Sequence, residues 1–271
     1  MKLEYIYAYE NLKSYSQEPE LSEEAWNRHM IEPYWSTIAQ WAFGDTKHLM
    51  PNQIKNKETL ERLIDLFSKF NLEDYKKRFS EIITVLPKED DDPMTVAIYP
   101  SDTGMEEGIY GTGVWGNIIL NINLINPESL NWIPFVFAHE YHHNILGYYW
   151  YCIKGGEETK GTFLESIINE GEADVFAQSI FPDTVPSWHK GVAEEEELKV
   201  FSKMKEVLEE QLPIETAASY MFGNEEMGIP RNAGYYFGVK IVKAFLEKHP
   251  GMSFEALIKV PHKTVYLESG L

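Results

Sequence analysis

The feature that most constrains this chain is the run Phe135-Val136-Phe137-Ala138-His139-Glu140-Tyr141-His142-His143, where two histidines four residues apart follow an apolar stretch. An apolar run of this kind is a helix buried inside the fold. At about 100° per residue, the step from His139 to His143 turns the second imidazole only about 40° from the first, one turn along. Both rings can therefore grip one cation. Glu140 sits on the edge of the same face, where its carboxylate can reach a water at the metal without being a ligand itself. His142 points about 100° away from His143 and has no partner at ligand spacing, so it reads as a packing or surface residue. An HExxH pentad arises by chance in about one chain per hundred of this length, so a second signal is needed.

Structural zinc sites are closed by four protein ligands, whereas catalytic ones use three and leave a position for water. The helical segment from Thr162 to Phe181 supplies candidates for the third. Its Asn169-Glu170-Gly171-Glu172-Ala173-Asp174 places Glu170 and Asp174 four apart on one face. One carboxylate can bind metal while the other orients a histidine by accepting its second N–H. Asp174 is the candidate for that bond, to His139. Glu172 and Glu165 point elsewhere around the helix and are expected to be solvated.

The pairing of HExxH with Asn-Glu-x-x-Ala-Asp resembles the gluzincin metallopeptidases, thermolysin-like enzymes whose third ligand is a Glu in an NExx(S/A)D motif on a following helix. More narrowly, His139 to His143, Asn169-Glu170-Gly171 and the later Gly234-Tyr235-Tyr236-Phe237-Gly238-Val239-Lys240-Ile241-Val242 are similar to the YjaZ-like predicted zinc-dependent proteases, a bacterial family. The resemblance covers the chain from about Tyr110 to its C-terminus. It implies one Zn2+ per chain on His139, His143 and Glu170, with Asp174 behind a ligand histidine, and a peptide or protein as substrate. It also implies an α+β, zincin-like fold, mainly helical, with a small mixed sheet whose edge strand flanks the active-site cleft. Gly113-Val114-Trp115-Gly116-Asn117 would be that edge, since glycines let another backbone approach and an extended peptide can pair there. An interior hairpin strand with glycine at its turn is the other reading of those residues.

Attack on a peptide carbonyl develops an oxyanion that needs a donor besides the metal. The cluster Arg231-Asn232-Ala233-Gly234-Tyr235-Tyr236 offers Tyr235 first and Arg231 next; His249 and His262 are alternatives with no spacing argument behind them. The expected activity is zinc-dependent peptide hydrolysis with Glu140 as general base. A zinc-binding protein without turnover, in a binding or regulatory role, is the reading from another class, and a zinc amidase acting on a non-peptide substrate shares the same chemistry. The Glu of HExxH, and three ligands where a structural site needs four, favour the enzyme.

Residues 1–90 read as an N-terminal helical region. Ser22 caps a helix that Pro33 kinks or ends, a second carries Leu60, Leu63, Ile64 and Phe67, and Asn71 caps a third that stops at Pro87. Residues 91–271 read as the metallopeptidase core with a C-terminal helical lobe, unless the whole is one continuous domain. Within them Met94 to Tyr99 and Val114 to Leu124 are strands, the latter with one core face and one partly polar face. Glu194 to Leu212 and Gly234 to Lys248 are helices. A net charge of -19 over 271 residues argues against nucleic acid and anionic membrane as partners. Cys152 alone permits no internal disulfide, and the N-terminus lacks the apolar core of a signal peptide, so a soluble, cytoplasmic protein is expected.

Overall fold

A computed structural model describes residues 1–42, 44–104 and 106–271, and shows an α+β chain that divides into two compact units, residues 1–144 and 145–271. In the first, a four-stranded mixed sheet is built from β1 (Leu3–Tyr7), β2 (Met94–Pro100), β3 (Ile109–Val114) and β4 (Asn117–Ile122), in the order β1-β2-β4-β3. β2 runs parallel to both neighbours, with Tyr5 opposite Val96 and Ile98 opposite Leu120. Every residue of β2 is buried, as its nearly unbroken apolar sequence requires of a central parallel strand. β3 is antiparallel to β4 and forms the sheet edge.

The strand expected from Val114 to Leu124 is thus corrected to a hairpin. Val114 ends β3, Trp115 and Gly116 turn with φ of 39° and 90°, and Asn117 starts β4. Positive φ at both turn residues is the type I′ pattern that matches the twist of paired strands. The expected polar face is absent too, because β4 lies between two strands and is buried at all six positions. The polar Asn117 side chain is accommodated by accepting from the Thr95 N–H at 2.8 Å and donating to the Ile38 carbonyl at 2.9 Å. β1 lies within the region read as helical; five residues are too few for periodicity to separate from the helices that follow.

The helices of this unit are α1 (Tyr9–Tyr15), α2 (Glu23–Trp26), α3 (Glu32–Ile38), α4 (Lys57–Phe67) and α5 (Leu72–Val85), followed by α6 (Ser129–Gly147), which runs on past residue 144. Ser22 caps α2 as expected, accepting from Ala25 N–H, and helical structure continues through a π-helical segment, Asn27–Ile31, into α3, whose second residue is Pro33. Asn71 precedes α5 but donates to Asp74 instead of capping the helix. Pro134 inside α6 removes one backbone bond, and the Tyr75 hydroxyl donates to the Leu130 carbonyl four residues back. Phe79 of α5 stacks on Phe137 of α6 with centroids 4.0 Å apart.

The second unit is helical: α7 (Phe163–Ile180), α8 (Glu197–Lys205), α9 (Ile214–Phe222), α10 (Ala233–Lys248), α11 (Phe254–Leu257) and α12 (His262–Ser269). Thr162 caps α7, and the Glu165 carboxylate turns back onto the Lys160 and Gly161 N–H groups. Glu165 is therefore engaged at the helix start while remaining partly exposed to solvent. The helix expected over Glu194 to Leu212 ends at Lys205, because the Leu208 and Glu210 carbonyls accept from the first N–H groups of α7. α7 and α10 cross at two glycines. A Cβ on Gly171 would overlap the Gly238 backbone, and one on Gly238 the Ile167 carbonyl. Among the described residues, no helix is long and apolar enough to cross a membrane.

Candidate metal centre

α6 carries His139 and His143 on one face, as the four-residue step requires. Their Nε2 atoms are 3.0 Å apart and the rings stand nearly perpendicular, at 83°. Two nitrogens each bonded to zinc at 2.0–2.1 Å with tetrahedral angles lie about 3.3 Å apart, so this separation suits a shared cation. The ligand atoms of His139, His143 and Glu170 all lie within 4.8 Å of one another. Two imidazoles and one carboxylate are the donor set of a catalytic zinc site, and among the described residues the group has three members, one short of a closed structural site.

Glu140 is 8% exposed and its side chain lies against the edge strand β3. A Cβ on Gly111 would fall on the Glu140 Cγ and Oε1, and one on Gly113 would stand 3.5 Å from Oε2. The glycines of β3 therefore leave room for this carboxylate. Asn144 ties the strand's turn to the helix, accepting from Gly116 N–H and donating to the Glu140 carbonyl, both at 2.8 Å. Of the segment 113–117, only Gly113 and Val114 belong to the edge strand; Trp115 and Gly116 are the turn and Asn117 is interior.

In the second unit, Glu170 is half-buried on α7 and Asp174 is fully buried one turn on. Asp174 Oδ2 accepts from the Trp188 indole N–H at 2.9 Å and lies 2.9 Å from His189 Nε2. Trp188 and His189 escaped the sequence reading, because they stand on a short 3-10 turn, Ser187–Lys190, at no spacing that links them to Asp174. The Trp188 ring also packs at 6.5 Å from that of Tyr235, which Phe222 contacts from another side at 6.0 Å. Arg231 is exposed, just before the left-handed Asn232 that precedes α10. His249 lies against Phe245 and pairs with Glu268 at 2.9 Å, while His262 is buried beside Trp150.

The environment of one carboxyl group differs from expectation. Glu172 is fully buried, not solvated, and burial pushes its carboxyl well above the usual carboxylate range. α7 is enclosed on all sides over Gly171 to Ala177, so that stretch has no solvent face to offer it. His142 is likewise fully buried, on the packing side of its two readings.

Residues 57–266 match the family described as Predicted Zn-dependent protease (DUF2268). The chain belongs to this family. Its match spans both units and contains the HExxH pentad, Glu170, Asp174 and Tyr235. The Uncharacterized protein YjfC of Bacillus subtilis (strain 168) is 29% identical over 158 residues, which cover 54% of this chain and 51% of that protein. The chain thus spans about half the length of this curated relative. No solved structure matches.

Proposed function

We propose that this protein is a zinc-dependent peptidase of the gluzincin type with a zincin-like fold, in which His139, His143 and Glu170 hold the metal and Glu140 is the general base. The observation that carries the reading is the convergence of these two histidines and one carboxylate, three ligands and no more among the described residues. Zinc, when bound there, supplies Lewis acidity that polarises a carbonyl and lowers the pKa of water towards about 7. Glu140 takes the proton from the attacking water and hands it to the leaving amine as the C–N bond breaks. Its placement against β3 supports this role, since an extended peptide pairing with that edge would bring its carbonyl beside the carboxylate.

Asp174 holds a ligand histidine in the metal-binding tautomer in this reading, and Trp188 and His189 fix Asp174 in turn. Tyr235 donates to the developing oxyanion, with Arg231 as the second candidate. Trp188 links these two parts, since its N–H is on Asp174 and its ring is against Tyr235. Substrates are peptides or proteins.

The deciding experiment measures bound zinc and turnover of a mixed fluorogenic peptide library in wild type, Glu140→Gln and Glu170→Ala. Glu140→Gln is expected to keep one zinc per chain and lose about 10²–10⁴-fold in kcat, whereas Glu170→Ala loses zinc. Undiminished hydrolysis by Glu140→Gln would remove the general base. Full zinc occupancy in Glu170→Ala would place the third ligand elsewhere.

A further inference from the structure

The second unit contains a cavity of about 80 Å³ that none of the metal or acid–base chemistry uses. Its walls come from the π-helical turn Tyr148–Ile153 after α6, the loop before α7 and the first residues of α12. Two of its lining side chains are more than nine-tenths buried yet hold nitrogens with no hydrogen-bond partner among the described residues: Trp150 through Nε1 and His262 through Nε2. Their rings stand 6.0 Å apart. Leaving a buried polar group unsatisfied costs about 1–3 kcal/mol, so two such nitrogens on residues that line one cavity call for an occupant.

The donors define what that occupant is. Trp150 Nε1–H can only donate. Burial moves His262 down to about 4, so the ring is neutral near pH 7 and its Nε2–H tautomer offers a second donor. His262 is also the first residue of α12, which has no side-chain cap; the Thr264 and Val265 N–H groups turn back to Pro261, and the partial positive charge of the helix start remains for a ligand. Lys160 and Lys263 stand in the lining against Glu158, Glu165 and Glu209, with Lys263 paired to Glu209 at 3.0 Å. Three carboxylates against two ammonium groups disfavour a dianion. The volume equals that of about two or three waters, enough for one carboxylate and a short alkyl stub, and Trp150, Leu164 and Pro261 give that stub apolar contacts.

We propose that this cavity is a binding site for a small monocarboxylate, its oxygens accepting from Trp150 and His262 at the start of α12. The test uses the full chain and the indole N–H resonances of its seven tryptophans, with the Trp150 signal identified by its loss in Trp150→Phe. Titration with propionate at constant ionic strength is expected to shift that signal saturably, while inorganic phosphate and propionamide leave it in place. Calorimetry should show propionate binding weakened about tenfold or more in Trp150→Phe and in His262→Phe, the loss expected for one hydrogen bond to a charged group. An immobile Trp150 signal in the wild type, with exchange only to water, would make the cavity a hydration site and overturn the proposal. So would an equal response to propionamide, which would make charge irrelevant. Neither readout depends on peptide hydrolysis, so the result stands whether or not the metal reading does.

Discussion

At Gly111 the replacement of one hydrogen by a methyl decides whether Glu140 can occupy its position, because a Cβ there falls on the carboxylate arm. Gly111→Ala is therefore expected to keep its zinc and lose about 10²-fold in kcat, since misplacing a catalytic group by about 1 Å costs that much. Zinc content and single-turnover rates check it; full activity with alanine would show that Glu140 works from another position. His262 makes a prediction about pH. Its folded pKa of about 4 lies below the ordinary 6.5, so protonation favours the unfolded chain. The stability tied to a neutral His262 is complete above about pH 6.5 and is lost as the pH falls through the window from about 6.5 to about 4. Lowering from 6.5 to about 4 corresponds to about 3 kcal/mol. Urea unfolding of wild type and His262→Phe at pH 8, 6 and 4 should show a steeper acid loss in the wild type; parallel curves would mean that His262 is protonated without cost.

Among the elements, the crossing of α7 and α10 has least tolerance. Gly171 and Gly238 let the two backbones meet, and a methyl at either has only backbone to displace. Gly238→Ala is expected to destabilise by about 1–3 kcal/mol, the usual cost of overpacking. Gly147 is the control: its φ of -61° is helical and nothing stands within 4 Å of its Cβ position, so Gly147→Ala should stabilise by about 0.5–1 kcal/mol. Thermal midpoints that moved the same way in both variants would refute the packing argument. The helices themselves were legible, because α5, α7 and α10 carry apolar residues at helical spacing and α6 contains the apolar run Phe135-Val136-Phe137-Ala138. Legibility failed where long-range partners decide the backbone. The carbonyls of Leu208 and Glu210 leave the helical pattern to serve α7, and the hairpin turn at Trp115 carries no Asn-Gly or Asp-Gly signal.

For the molecule as a whole, a metal that binds only the native chain stabilises all of it by linkage. Free zinc at one hundred times its Kd should add about 2.7 kcal/mol, and a chelator should lower Tm accordingly. A Tm indifferent to chelation would mean that the His139, His143 and Glu170 group does not take up zinc. What the sequence by itself determined were the quantities set by local geometry. The four-residue step put two imidazoles on one face of α6, a second such step put Glu170 and Asp174 on one face of α7, and the apolar run before His139 made α6 internal. Tertiary structure decided everything that depends on chain segments far apart in sequence. It gave Asp174 its Trp188 and His189 partners, set Glu140 against Gly111, buried Glu172 and brought Trp150 and His262, each with an unpartnered buried nitrogen, to one cavity. Periodicity reports which face of an element is apolar, but the identity of the atoms across from that face is fixed only when the chain closes on itself, and those atoms set the charge, solvation and reach of each group.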